Sequence, residues 1–498
     1  MHVAKIVRKH NGKEYVSYLL RRTFREGGKV RHETVANISA LPPEAIEALR
    51  ASLAGKRLVS AGDNLGVARS LPHGHVAAGW AQAQALGLPE LLGTPSAARD
   101  LVLALVIART CDAGSGLATA AGWAQTTLAA DLGLADAPAA ELAGAIGEAM
   151  AWLAGRQEPI ERALAARHLP PGSAVLYNFP TSAAPSPDPA PAQAGEPVLP
   201  RIEFGLMSTL GGCPVSVAVA ALGLTDPTVD PAGLVGAVDR LRRRFEFANV
   251  VIVAPPTVLS EARIVAAQSF ADVDWITGVA PEELRRLTAS GAVALGRLDD
   301  GDVAELTLAD HPGERFILRV NRTLAAEAAR RRAVAAAIAP AAPDRPEPPA
   351  EASLDGVGLV RTSVDVARLD AQAVVAAYDR LIESEAAFRS LDSIPLTSRP
   401  GDHLPDHARA DVLVSMLAGY LGWHLRQAWA PLLAADAEGT AGPTFETLLD
   451  HLSTLTRCQL RTGSGAGTYT FDVLSDPTPL QKEAFGQLGA EVPLALRA

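Results

Sequence analysis

Residues 1–60 hold twelve Lys or Arg against five Asp or Glu, a net charge of +7 on a chain whose formal net charge is −10, so the remainder carries −17. Five of the six lysines (Lys5, Lys9, Lys13, Lys29 and Lys56) stand in this segment. Lys5, Arg8 and Lys9 form one basic group, and Arg21, Arg22 and Arg25 form a second. Ammonium and guanidinium groups are the side chains that neutralise phosphates, and a basic end on an acidic body is the charge footprint of a nucleic-acid-binding arm. A solvated surface with no partner is the plainer alternative. The acids offer less. Asp226, Glu261, Asp272 and Asp274 could serve a hard divalent cation or be ordinary loop and helix-surface acids. Tyr378, Leu381, Glu385 and Phe388 fall on one helical stripe that would turn Glu385 toward a core; a surface pair of Glu385 with Arg389 is the alternative. Cys111, Cys213 and Cys458 are too far apart for the spacing of a zinc site, and their odd number excludes a disulfide framework and suits a reducing cytosol.

The elements that must position these groups can be read from periodicity and punctuation. Residues 3–38 read as a β-rich unit turning at Glu26-Gly-Gly-Lys29, and on its strand Arg21 and Arg25 share one face while Arg22 takes the other. Residues 73–168 read as helices, over 76–86, 97–110, 139–153 and 159–167. From 173 the pattern changes to strands at 174–177, 201–207 and 215–222, then a helix at 231–245, a strand at 249–254, a helix at 259–269 and a strand at 273–279. Three strands followed by alternating β and α indicate a mixed α/β sheet. Segments 182–199 and 338–352 are Pro/Ala-rich linkers. Residues 292–320 read as extra strands and 324–338 as a helix. The sheet resumes at 357–363, with helices at 371–391 and 408–433. The end of the chain holds a helix, a hairpin around 461–471 and a short helix after Pro479.

The N-terminus is charged and lacks the apolar stretch of a signal peptide. The apolar run at 412–425 is shorter than the ~20 residues needed to span a bilayer and carries His424, so it reads as a buried core helix.

In this order and spacing, the chain resembles insertion-sequence transposases of the DDE type, whose RNase H-like catalytic domain is split by a β-strand insertion. The likeness runs through nearly the whole chain and is carried by residues 12–24, 151–164, 204–206, 259–263, 387–391 and 421–426. It implies a multidomain α/β protein: a basic β-rich N-terminal domain (1–60), a helical domain with a DNA-binding capacity (73–168), an RNase H-like mixed α/β domain (173–433) interrupted by a shortened β-insertion (285–352), and a C-terminal tail (434–498). Such enzymes use two Asp and one Glu to hold two Mg²⁺ ions that activate a nucleophile and stabilise the leaving oxygen of a phosphodiester. The first Asp belongs to a motif that here reads Leu176-Tyr177-Asn178-Phe179-Pro180-Thr181-Ser182, with Asn178 in its place. The second follows a strand that here runs Val251-Ile-Val-Ala254 into Pro255, which has no side-chain oxygen at all. The third carboxylate is retained as Glu385, but the Lys of the same signature is Asp392 and an expected Arg is Leu381.

The resemblance therefore implies a transposase-derived, cytosolic protein that binds double-stranded DNA through Lys5, Arg8, Lys9, Arg21, Arg22, Arg25 and Arg389. It implies no strand cleavage, no Mg²⁺ or other cofactor and no membrane; a homodimer is one possible assembly, and the sequence does not fix the oligomeric state. A protein-interaction scaffold or decaying transposase, and a metal nuclease using other carboxylates, remain as alternative readings.

Overall fold

Long alternating strands with a tight turn open the chain. β1 (His2–His10), β2 (Lys13–Glu26) and β3 (Lys29–Asn37) form an antiparallel sheet in the order β1-β2-β3. Gly27 and Gly28 turn β2 into β3 at φ 56° and 76°, the left-handed backbone that a two-residue hairpin turn demands. Every residue of β3 is exposed. Helix α1 (Pro43–Leu53) lies against β1 and buries Ile46. This computed structural model describes residues 1–10, 13–55, 66–111, 125–134, 137–178, 202–221, 242, 244–245, 247–270, 272–293, 303–320, 325, 330, 354–388, 406–434, 442–462 and 469–496. Both linkers lie outside the described residues, as do nearly all of the helices expected at 231–245 and 324–338.

The next elements are β4 (Gly66–Pro72) and the helices α2 (Gly74–Ala85), α3 (Leu88–Leu92), α4 (Ala97–Cys111), α5 (Thr127–Asp131), α6 (Ala139–Ala154) and α7 (Gln157–His168). Then come β5 (Ala174–Asn178), β6 (Ile202–Thr209), β7 (Pro214–Ala221), β8 (Asn249–Ala254), α8 (Glu261–Gln268), β9 (Val273–Gly278), α9 (Pro281–Ala289), β10 (Val303–Leu306), β11 (Arg315–Val320) and β12 (Val357–Thr362). The chain closes with α10 (Ala371–Phe388), α11 (Asp406–Ala428), α12 (Ala430–Leu433), α13 (Phe445–Ser453), β13 (Thr456–Thr462), β14 (Tyr469–Leu474) and α14 (Pro479–Gln487).

Two compact units result: Met1–Ser70 with Arg457–Ser475, and Leu71–Thr456 with Asp476–Ala498. In the first, β13 pairs with both β14 and β4 in a second three-stranded sheet. The segment 434–498, expected as a tail, is therefore shared between the units: its hairpin belongs to the first, while α13 and α14 contribute Leu448, Leu452, Ala484 and Phe485 to the core of the second.

The second unit is built on an eight-stranded sheet in the order β10-β11-β12-β9-β8-β5-β6-β7. The β5–β8 and β8–β9 pairs are parallel, and the other pairs are antiparallel. Strand alternation splits β8 between two cores. Val250, Ile252 and Ala254 face the core that also takes in α2, α4, α6 and α11, whereas Val251 and Val253 face α10. A strand apolar on both faces is the mark of a covered sheet interior. The helices of 73–168, expected as a domain of their own, thus share one core with the sheet. The strands β10 and β11 lie within the expected insertion, but they pair onto β12 and extend the same sheet, with α9 packing its Leu284 against Phe316, Leu318 and Leu359. The apolar run at 412–425 is the buried stretch of α11, and no described helix is long and apolar enough to cross a membrane.

Candidate functional site

The two central parallel strands end side by side. In the β5–β8 register Asn178 stands opposite Val253. One residue later β8 ends at Ala254, and Pro255 follows. Proline lacks the N–H that would extend the ladder. Its carbonyl accepts from the amides of Val258 and Leu259, both at 2.9 Å, which turns the chain toward α8. Asn178 and Pro255, 77 positions apart in the sequence, thus stand at the same carboxyl end of neighbouring strands.

Asn178 is only 3% exposed. Its side-chain oxygen has no hydrogen-bond partner among the described residues, and neither has the Ser208 hydroxyl nearby. Both residues line a cavity of about 450 Å³ with Asp379 and Arg380 from α10 and Trp423 and Arg426 from α11. Arg380 donates to the Leu210 carbonyl at 3.2 Å, and Trp423 Nε1 to that of Gly211 at 3.1 Å, so both side chains are held on the β6–β7 turn. Pro256 lines a separate cavity of about 670 Å³ with Gly278, Arg285, Arg319, Asp355 and Tyr378. Asp379 is salt-bridged to Arg319.

The α10 stripe is described as far as Leu381. Leu381 is buried with Leu176, Val251 and Val253, and Tyr378 packs on the same core. Glu385 lies in α10. The side chains of Glu385 and Phe388 lie outside what is described, as do Arg389 and Asp392 altogether. Among the described residues the other acids do not gather at these strand ends. Asp226 lies outside the described residues. Glu261, beyond the carboxyl end of β8, pairs with Arg361. Asp274 pairs with Arg368, and Asp272 with Arg242 at 2.8 Å, at the amino end of β9. Burial works against the charge of Arg361, but its bonds to Glu314 and Glu261 more than offset this and hold its pKa above the ordinary range.

The β1–β3 sheet sorts its basic residues by register. Arg8, Arg21 and Arg25 share one face; Lys5, Lys9 and Arg22 share the other. Glu14 and Glu33 stand on that second face, 3.2 Å from Lys9 and 3.0 Å from Arg22. Among the described residues no ion pair neutralises Arg8 or Arg25, and both are exposed.

A further cluster was not visible in the sequence. Ligand atoms of His168, Cys213 and His424 lie within 4.8 Å of one another. Burial pushes the Cys213 thiol up to about 12. Burial and the neighbouring His168 push His424 down to about 4, and burial and Arg167 lower His168. The three come from the end of a helix, a hairpin turn and the end of an apolar run, 45 and 211 positions apart, so no spacing rule could have joined them.

Residues 3–63 match the family model described as IS1634 family transposase, N-terminal domain. Among solved structures, a piggyBac transposase synaptic complex with hairpin DNA is similar at 12% identity and a TM-score of 0.25, covering 57% of this chain and 52% of that one. This chain thus spans about half the length of that transposase. No curated protein matches.

Proposed function

We propose that this chain is a transposase-derived protein that binds double-stranded DNA through its basic N-terminal sheet and neither cleaves nor joins strands. The observation that carries the reading is the placement of Asn178 and Pro255 at adjoining strand ends in the middle of the sheet. The order β7-β6-β5-β8-β9, with β5, β8 and β9 parallel, supports an RNase H-like reading, in which β5 is the first strand and β8 the fourth. Two metal ions at such strand ends need charged oxygen ligands. An amide brings no charge and a proline brings no ligand. Glu385 is then the remnant of the triad, and the chain takes no Mg²⁺ as cofactor. The match of residues 3–63 supports transposase descent and falls on the segment that carries the +7 charge.

A nuclease using other acids would need them to meet, whereas Glu261, Asp272 and Asp274 are each committed to a different arginine. Cytosolic placement and assembly as a homodimer complete the proposal. An electrophoretic mobility assay of the full chain on double-stranded DNA, with and without Mg²⁺, tests it. Retardation that weakens with salt and no cut products are expected; Mg²⁺-dependent cutting contradicts it.

A further inference from the structure

Where α7, the β6–β7 turn and α11 meet, two imidazoles and a thiol converge. His168 closes α7, Cys213 follows Gly212 in the turn, and His424 lies in the last two turns of α11. One ligand atom from each falls within a 4.8 Å set. Cys213 is free and buried, and among the described residues its thiol donates only to the Pro214 carbonyl, at 4.0 Å. Nε2 of His424 is buried with no hydrogen-bond partner among the described residues. A polar atom left so is destabilising, and a bound ligand would satisfy it. Tyr420 and Trp423 stand edge-on to the His424 ring at 4.6 and 4.8 Å, and the Tyr420 hydroxyl lies 3.0 Å from His168 Nε2. The His168 ring is thus oriented by a hydrogen bond from outside the cluster, as metal-ligating histidines are, and the His424 ring by aromatic packing.

We propose that His168, Cys213 and His424 bind one zinc-class divalent cation through two imidazole nitrogens and a thiolate. Thiolate and imidazole donors select this class over Mg²⁺ or Ca²⁺. Bonds of about 2.0–2.3 Å place tetrahedral neighbours about 3.3–3.7 Å apart, so binding draws the three atoms together by roughly an ångström. The thiol proton is released on binding. His168 and His424 are only partly buried, which gives the ion a way in and leaves its fourth position to water. Gly212 and Trp423 line the Asn178 cavity, so the ion sits one residue behind that wall and ties two helices to the β6–β7 turn. This site is independent of the DNA-binding reading.

The test is a Co²⁺ titration of the chelator-stripped full chain. One equivalent should bind with a thiolate-to-cobalt charge-transfer band and tetrahedral ligand-field bands, and Zn²⁺ should displace it. Cys213→Ser should abolish the charge-transfer band, and His168→Gln or His424→Gln should weaken Co²⁺ binding by about tenfold or more. Circular dichroism of the metal-free variants controls for folding. If Cys213→Ser does not fold, the two histidine variants carry the test. Absence of tetrahedral bands, an unchanged spectrum in both histidine variants, or a band that survives Cys213→Ser and disappears with Cys111→Ser or Cys458→Ser overturns the proposal.

Discussion

On the proposed reading, Asn178 and Pro255 stand where two of three metal-binding carboxylates would be. Restoring Asp at both positions returns three carboxylates on paper. The double variant should still fail to cleave DNA, because Asp392 and Leu381 stand where the resemblance expects a Lys and an Arg. A strand-cleavage assay of Asn178→Asp/Pro255→Asp checks this, and recovered cleavage would show the rest of the machinery intact. Calorimetry with Mn²⁺, an oxygen-seeking ion, should reveal no tight stoichiometric site that Glu385→Ala removes. Glu161 gives a prediction of a different kind. It is fully buried, accepts from the Val217 amide at 2.9 Å and from Gln157 at 3.0 Å, and lies 2.8 Å from Arg244. Burial outweighs these partners and raises its pKa above the usual carboxylate range. The folded state therefore holds this proton more tightly than the unfolded chain. The stability it contributes is fully present below the unfolded pKa near 4.5 and is lost as pH rises through the folded value. Denaturation midpoints of wild type and Glu161→Gln should diverge as pH rises from about 4.5 through the folded value, the wild type losing ground; curves parallel across that window would contradict the reading. Glu161→Ala strands the Val217 amide and should cost about 1–3 kcal/mol. Gly278 is needed for its bareness: a Cβ there would overlap the Tyr378 hydroxyl, so Gly278→Ala should destabilise by about 1–3 kcal/mol through overpacking of α10 on the sheet.

At the scale of elements, the N-terminal sheet makes the sharpest forecast. The face with Arg8, Arg21 and Arg25 is free of Glu14 and Glu33, which sit among the lysines and Arg22 of the opposite face. Arg8→Glu with Arg25→Glu should flatten the salt dependence of DNA binding by about two phosphate contacts, and Lys9→Glu with Arg22→Glu by less. Equal losses would mean that both faces touch DNA. Elsewhere, Thr478 and Gln481 form a capping box at α14, and His451 also bonds the Thr478 hydroxyl at 2.9 Å. Thr478→Ala should cost about 1–2 kcal/mol by thermal or chemical denaturation. Much of this element list was legible in advance because its signals are local. Asn249-Val-Val-Ile-Val-Ala254 is a short, β-branched apolar run and reads as a buried strand, and Gly27-Gly28 reads as a turn. What could not be read was non-local. The β4–β13 pairing joins residues nearly 400 positions apart, and local periodicity says nothing of such partners. The arrival of Asp379 and Arg380 beside Asn178 depends on how α10 crosses the sheet, which no spacing in α10 encodes.

The whole molecule combines a basic N-terminal segment of +7 with a remainder of −17. A body this acidic repels a phosphate backbone, so the proposed DNA binding would be concentrated in the N-terminal sheet and sensitive to ionic strength. The central claim, DNA binding without cleavage, is tested most directly by one titration: full-length protein on labelled double-stranded DNA across a salt series, with Mg²⁺ present and the DNA then resolved on a denaturing gel. The affinity should fall linearly on a log–log plot against salt, with the DNA recovered intact. Metal-dependent cut strands, or no binding even at the lowest salt, would contradict it.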